Sequence, residues 1–167
     1  MTAPEPSEHL PKSPTVDIQW IAEPVGLDAS DGDIIDWINA CTMNTGETNM
    51  ELSVRIVDEE EIKDLNRQYR DESSPTNVLS FDNGALDESG KILMGDIVIC
   101  ASVVSEEAQE QHKLVNHHFA HMLVHGFLHL CGYDHHGEAE AKEMESLEVR
   151  ILGGLGISDP YVGNNDE

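Results

Sequence analysis

Histidine is the residue type this chain concentrates. Eight of its nine histidines lie between residues 112 and 136, and three stand in the run His125-Gly-Phe-Leu-His129-Leu-Cys-Gly132-Tyr-Asp-His135. Residues four apart on a helix share a face, so His125 and His129 can point at one atom from adjacent turns. Gly132 then stands where a C-terminal glycine lets the backbone reverse, which predicts that His135 swings back toward the same point. Three neutral imidazoles with a fourth position open form the ligand set of a catalytic zinc rather than of a closed structural site.

The same spacing occurs in metzincin proteases, but Gly126 here takes the place of their catalytic glutamate, so a zinc peptidase of that kind would lack its general base. His121, one turn before His125, either holds a substrate group or donates a proton, or is a satisfied helix histidine. Asp134 either orients a ligand through a hydrogen bond or forms the turn after Gly132 and Tyr133. Cys131, two residues from His129, faces away on a helix and is assigned to the core. Cys41, Cys100 and Cys131 are odd in number and lack Cys-x-x-Cys spacing, which reads as reduced thiols. A second concentration is Lys63, Arg67 and Arg70, at i, i+4 and i+7 in a chain with only nine cations. A guanidinium fork suits a pair of phosphate oxygens. On spacing alone, pairing with acids of the same helix is the plainer reading.

Periodicity supplies the elements that must hold these groups. Val16–Ile21, Leu52–Val57, Thr76–Phe81 and Ile92–Cys100 read as strands. Asp31–Met43, a stretch from the N-cap Asp58 to Tyr69, Val103–His112, His117–Leu130 and Glu138–Leu152 read as helices. Strands early and helices late predict an α+β domain, a small sheet covered by helices, with the histidine site on a late helix and the loop after it. Residues 1–14 hold four of the seven prolines and are expected as a flexible extension, residues 15–157 as one domain, and residues 158–167 as a flexible C-terminal tail.

The 167 residues carry 9 Lys and Arg against 33 Asp and Glu, a net charge of −24. Such a surface repels polyanions and excludes a broad nucleic-acid-binding face. No apolar run approaches the roughly 18 residues of a membrane span, and the N-terminus has no apolar core for a secretory signal. A cytoplasmic protein with no membrane partner is expected. The acidity is not uniform, however. Residues 112–136 balance one Lys against one Asp, and residues 62–70 set Lys63, Arg67 and Arg70 against Asp64, a sum of +2. A narrow cationic cleft, made more positive by a bound divalent cation, stays open.

Taken together, Asn66-Arg67-x-Tyr69-Arg70, Thr76-Asn77-Val78-Leu79-Ser80-Phe81, Gly95-Asp96-Ile97-Val98-Ile99 and the histidine run resemble the bacterial YbeY family of metal-dependent endoribonucleases and ribosomal RNA maturation factors. The resemblance covers about residues 16–155, in order. It implies a single domain with a small mixed sheet and surrounding helices, and one zinc held by His125, His129 and His135. Nickel or another divalent metal can occupy such a set in a preparation. It also implies a cleft in which Arg70 meets an RNA phosphate. Single-strand-specific cleavage follows, with a part in 3′-end maturation of 16S ribosomal RNA and in ribosome quality control. The implied partners are the small ribosomal subunit and a basic ribosomal protein. Asp134, Asp96, Arg67 and Ser80 are candidates to touch substrate or brace a ligand. Asp82 stands where the family commonly has proline, and the N-terminal extension is additional.

The chemistry so implied is metal-assisted phosphodiester cleavage, with Arg70 on the charge that develops at the phosphate. The proton acceptor is a metal hydroxide, His121 or a group of the substrate, and attack by the RNA 2′-hydroxyl stays open. A different class of reading is a non-catalytic, metal-stabilised assembly factor whose acidic face binds basic ribosomal protein.

Overall fold

The computed structural model describes residues 14–23, 26–47, 49–70, 76–86, 88, 90–133 and 137–162, with no side-chain description for Arg70. Alternation organises the sheet. In β2 (Met50–Val57), Met50, Leu52, Val54 and Ile56 are buried on one face while Glu51, Ser53 and Arg55 turn to the other. This strand lies between β1 (Thr15–Trp20) and β4 (Ile92–Cys100), parallel to both, and β3 (Val78–Leu86) runs antiparallel along the far edge of β4. The order β1-β2-β4-β3 makes a four-stranded mixed sheet, as expected. Thr76–Phe81 is the strand expected for this edge segment. β3 begins two residues later and runs on to Leu86, through a register shift between Asp82 and Ala85. Its last five residues are exposed, so they carry no apolar alternation by which to recognise a strand.

Among the described residues five helices accompany this sheet: α1 (Asp31–Thr45), α2 (Glu59–Arg70), α3 (Ala101–Glu110), α4 (Val115–Leu130) and α5 (Glu138–Gly154). Asp58 caps α2 as expected, its Oδ1 accepting the Glu61 backbone N–H at 2.9 Å. α2 covers one face of the sheet through a small cluster of Val57, Ile62, Leu79, Val98 and Cys100. The main core lies on the other face, where Leu52, Ile56, Ile97 and Ile99 meet Ile34 and Ile38 of α1, Val104 of α3, Phe119, Leu123 and Phe127 of α4, and Ile151 of α5. Burying a side chain of this size contributes about 1.5–3 kcal/mol. α4 is therefore an interior helix, buried on most of its circumference from His118 to Leu128.

Two glycines decide where α4 sits and how it ends. A Cβ on Gly126 would lie 2.9 Å from Ile97 Cγ2, 3.1 Å from Ser80 Oγ and 3.3 Å from Val78 Cγ2, so only a glycine lets the helix rest this close to the sheet. At the C-terminus, Tyr133 N–H donates to the Leu128 carbonyl and Gly132 N–H to that of His129, both at 3.0 Å. With Gly132 at φ +99°, this is a Schellman ending, the reversal the sequence predicts.

The stretch expected as the start of a loose tail is instead docked. Ile157 is buried in the main core, Lys113 Nζ donates to the Pro160 carbonyl at 3.0 Å, and Tyr161 reaches α5. An apolar anchor followed by a hydroxyl that finds a buried acceptor holds residues 158–161 on the domain. Among the described residues no helix is long and apolar enough to cross a membrane.

Candidate functional site

His125 and His129 stand on successive turns of α4, their rings 4.6 Å apart and close to perpendicular, with the two Nε2 atoms 3.1 Å from each other. Two imidazole nitrogens that face each other at this distance can bind one cation at about 2.0–2.1 Å each, so the pair fits a shared metal. His125 also borders a cleft of about 380 Å³ with Ala141, Met144, Glu145, Glu148 and Tyr161, which gives the ring a solvent-facing side. His135 and Asp134 lie outside the described residues. Among the described residues no three His, Cys, Asp or Glu side chains come together as a metal-binding group.

The other ring nitrogen of His125 has a partner that sequence reasoning missed. Nδ1 lies 2.6 Å from Oε2 of Glu148, a fully buried carboxylate on α5. The second oxygen, Oε1, accepts from His121 Nε2 at 3.0 Å and from the Tyr161 hydroxyl. Burial is the largest influence on this carboxyl and acts to raise its pKa. The hydrogen bonds from His121, His125 and Tyr161 together outweigh it and hold the group at about 2. The carboxylate is therefore ionised and can only accept. Burial, and then the bond to this anion, push the Tyr161 hydroxyl well above its ordinary range, so it donates. One signal in the sequence could have found Glu148. On α5 it sits in the apolar stripe Met144, Leu147, Ile151 and Leu152, an acid at a core position.

Of the two readings open for His121, a group facing substrate and a satisfied helix histidine, its surroundings are those of the second. It is only 7% exposed, its Nε2 is occupied by Glu148, and its Nδ1 has no hydrogen-bond partner among the described residues. The interior position follows from α4 being buried on nearly all sides, so a residue one turn before His125 falls between α4, α5 and the C-terminal segment.

The remaining candidates separate. Ser80, on β3, donates to the Gly126 carbonyl at 3.0 Å and lies under the helix segment between the two facing histidines. Asp96 is on the sheet face opposite Ile97 and hence opposite α4, where Ser53 Oγ hydrogen-bonds to it. Strand alternation places it away from the histidines. Arg67 pairs with Asp64 at 2.9 Å, both side chains 58% exposed, the plainer pairing its spacing allowed. Arg70 ends α2, and its side chain lies outside the described residues. Neighbouring Tyr69 packs edge-on against Phe81 at 5.2 Å, which sets this end of α2 beside β3. Cys131 just follows α4 and packs against the main core as expected. Burial pushes its thiol up to about 12.

The crowding at Gly126 also bears on the peptidase reading. A glutamate at this position would have to displace Ile97, Ser80 and Val78, so the missing base is excluded by packing as well as absent.

Comparisons with known proteins agree on one family. The family model described as Endoribonuclease YbeY matches residues 25–156. A protein of Alcanivorax borkumensis named Endoribonuclease YbeY is 49% identical over 158 residues, covering 89% of this chain and 87% of that one. Another of that name, from Alteromonas mediterranea, is 51% identical over 125 residues, covering 75% of this chain and 79% of that one. The fold is similar to the solution structure of a Thermotoga maritima protein, with a TM-score of 0.54 at 23% identity, covering 89% of this chain and all of that one.

Proposed function

The chain belongs to the YbeY endoribonuclease family, and from that premise we propose that it is a metal-dependent endoribonuclease that cleaves single-stranded RNA in ribosomal RNA maturation, at the 3′ end of the small-subunit RNA. The observation that carries the metal in this reading is the pair of Nε2 atoms of His125 and His129 facing each other at 3.1 Å. With His135 as third ligand, they would hold one divalent cation, Zn2+ being the best match to three imidazoles. When bound, such a cation supplies Lewis acidity at a phosphate oxygen and lowers the pKa of a bound water.

The chain's own residues supply the rest. Arg70 is the side chain proposed to meet the scissile phosphate, because a guanidinium offers two parallel donors to two phosphate oxygens and keeps its charge. His121, buried against Glu148, takes no direct part in the proposed cleavage. The net charge of −24 keeps phosphate contacts few and favours delivery to RNA by a basic ribosomal protein.

Purified Arg70→Glu and His125→Ala, each checked for folding by circular dichroism, should lose at least about a hundredfold of the cleavage rate on a labelled single-stranded RNA. Wild type should leave the same sequence intact as a duplex. Unchanged cleavage by both variants would overturn the assignment. The acidic surface also favours a second reading, a non-catalytic assembly factor, which predicts that the wild type leaves single-stranded RNA intact and still binds a basic ribosomal protein.

A further inference from the structure

We propose that Glu148 is the positioning residue of the metal site, itself held by Tyr161 from the C-terminal segment; the inference rests on the reading that His125 and His129 bind a metal. Glu148 touches neither metal nor RNA and acts through His125. Each of the two imidazoles brings one ring nitrogen within hydrogen-bond distance of a Glu148 carboxyl oxygen, and in such a contact the ring nitrogen is the N–H donor. His125 presents Nδ1 to Oε2 and His121 presents Nε2 to Oε1. Two neighbouring histidines thus take opposite tautomers on one carboxylate. In His125 the consequence is chemical, because a hydrogen fixed on Nδ1 leaves the lone pair on Nε2, the atom that faces His129. With the hydrogen on Nε2 instead, the ligand position would be blocked.

The carboxylate can do this because, among the described residues, only His121, His125 and Tyr161 meet it. Glu148 is 0% exposed, so bulk water does not reach it while these partners are in place. Tyr161 shares Oε1 with His121, which leaves Oε2 to His125 alone. A ligand ring already turned and protonated for binding loses less freedom when the metal arrives, and an acceptor behind it makes the nitrogen more basic. The arrangement also gives residues 158–161 a role at the site.

Two measurements on the full chain test this. The first is Zn2+ affinity by competition with a chromophoric chelator, and the second is the ¹⁵N spectrum of the histidine rings in metal-free wild type at pH 8. Folded Glu148→Gln should bind Zn2+ about 10–100-fold more weakly. Tyr161→Phe, whose ring is partly exposed and tolerates the change, should show a few-fold loss. The spectrum should show His125 protonated at Nδ1 and His121 at Nε2. Wild-type affinity in Glu148→Gln beside lost binding in His125→Ala, or His125 protonated at Nε2, would overturn the proposal. Wild-type affinity in His125→Ala would instead overturn the metal reading, and this inference with it. Should Glu148→Gln fail to fold, Tyr161→Phe and the wild-type spectrum decide.

Discussion

Glu107 and Glu148 each meet histidines of α4 from a neighbouring helix, yet the two pairings end differently. Glu107, on α3, lies 2.8 Å from His118 Nε2 and accepts from Asn77 Nδ2 at 3.1 Å, tying α3, α4 and the start of β3 together. His118 ends there, since its Nδ1 has no hydrogen-bond partner among the described residues. About two turns along the same helix, Glu148 accepts from His121, His125 and Tyr161, and His125 continues to His129. The same chemical pair is a structural tie where the far nitrogen stops in the interior, and in the proposed reading a hold on a metal ligand where it faces another ring nitrogen. Position along one helix decides which.

The sharpest way to break this contrast is to remove the far end. His129→Ala should abolish tight Zn2+ binding, beyond the 10–100-fold typical of losing a partner behind a ligand, while thermal unfolding stays cooperative. Next comes Glu107→Gln, which should leave Zn2+ affinity within about twofold but cost roughly 1–3 kcal/mol in urea unfolding, the range for a hydrogen bond to a charged group. A loss of metal affinity equal to that of Glu148→Gln would erase the distinction.

Legibility in the sequence follows the same line. His125, His129 and Gly132 were readable because local spacing on one helix determines their geometry, and strand alternation in β2 with the β-branched run of β4 was enough for a small sheet. Glu148 was not, because its partners lie 23 and 27 residues away on another helix, and α5 carries several other acids that are exposed. Tyr161 was lost for a related reason. A single aromatic in a polar terminal stretch reveals nothing until the acceptor that buries its hydroxyl is in place. Asp96 shows the converse, since proximity in a motif says nothing about which sheet face a side chain takes.

Gly126→Ala sharpens the contrast between the helix and its seat. Its Cβ would crowd Ile97, Ser80 and Val78, at an expected cost of about 1–3 kcal/mol in the free energy of denaturant unfolding, with all histidines unchanged. The Glu107 tie also predicts a pH dependence. The hydrogen bond from His118 is the main cause holding this carboxyl below its ordinary value of 4.5; burial opposes it and Asn77 assists. A depressed pKa adds stability that is full above the ordinary value and is lost as pH falls through the folded-state value. The stability gap between wild type and Glu107→Gln should thus be constant from pH 7 to about 5.5 and shrink below it. The smallest effect is expected on α2, where Arg67→Ala breaks only an exposed pair and should shift stability by less than about 0.5 kcal/mol.

In the proposed function the facing histidines of α4 hold the metal with which this chain cuts RNA. Wild type and His129→Ala, both stripped of metal by chelator and then given one equivalent of Zn2+, can be assayed on the same single-stranded RNA. Wild type should lose cleavage on stripping and regain it with the metal, and the variant should stay inactive throughout. Full cleavage by stripped wild type, or by His129→Ala, would contradict the account.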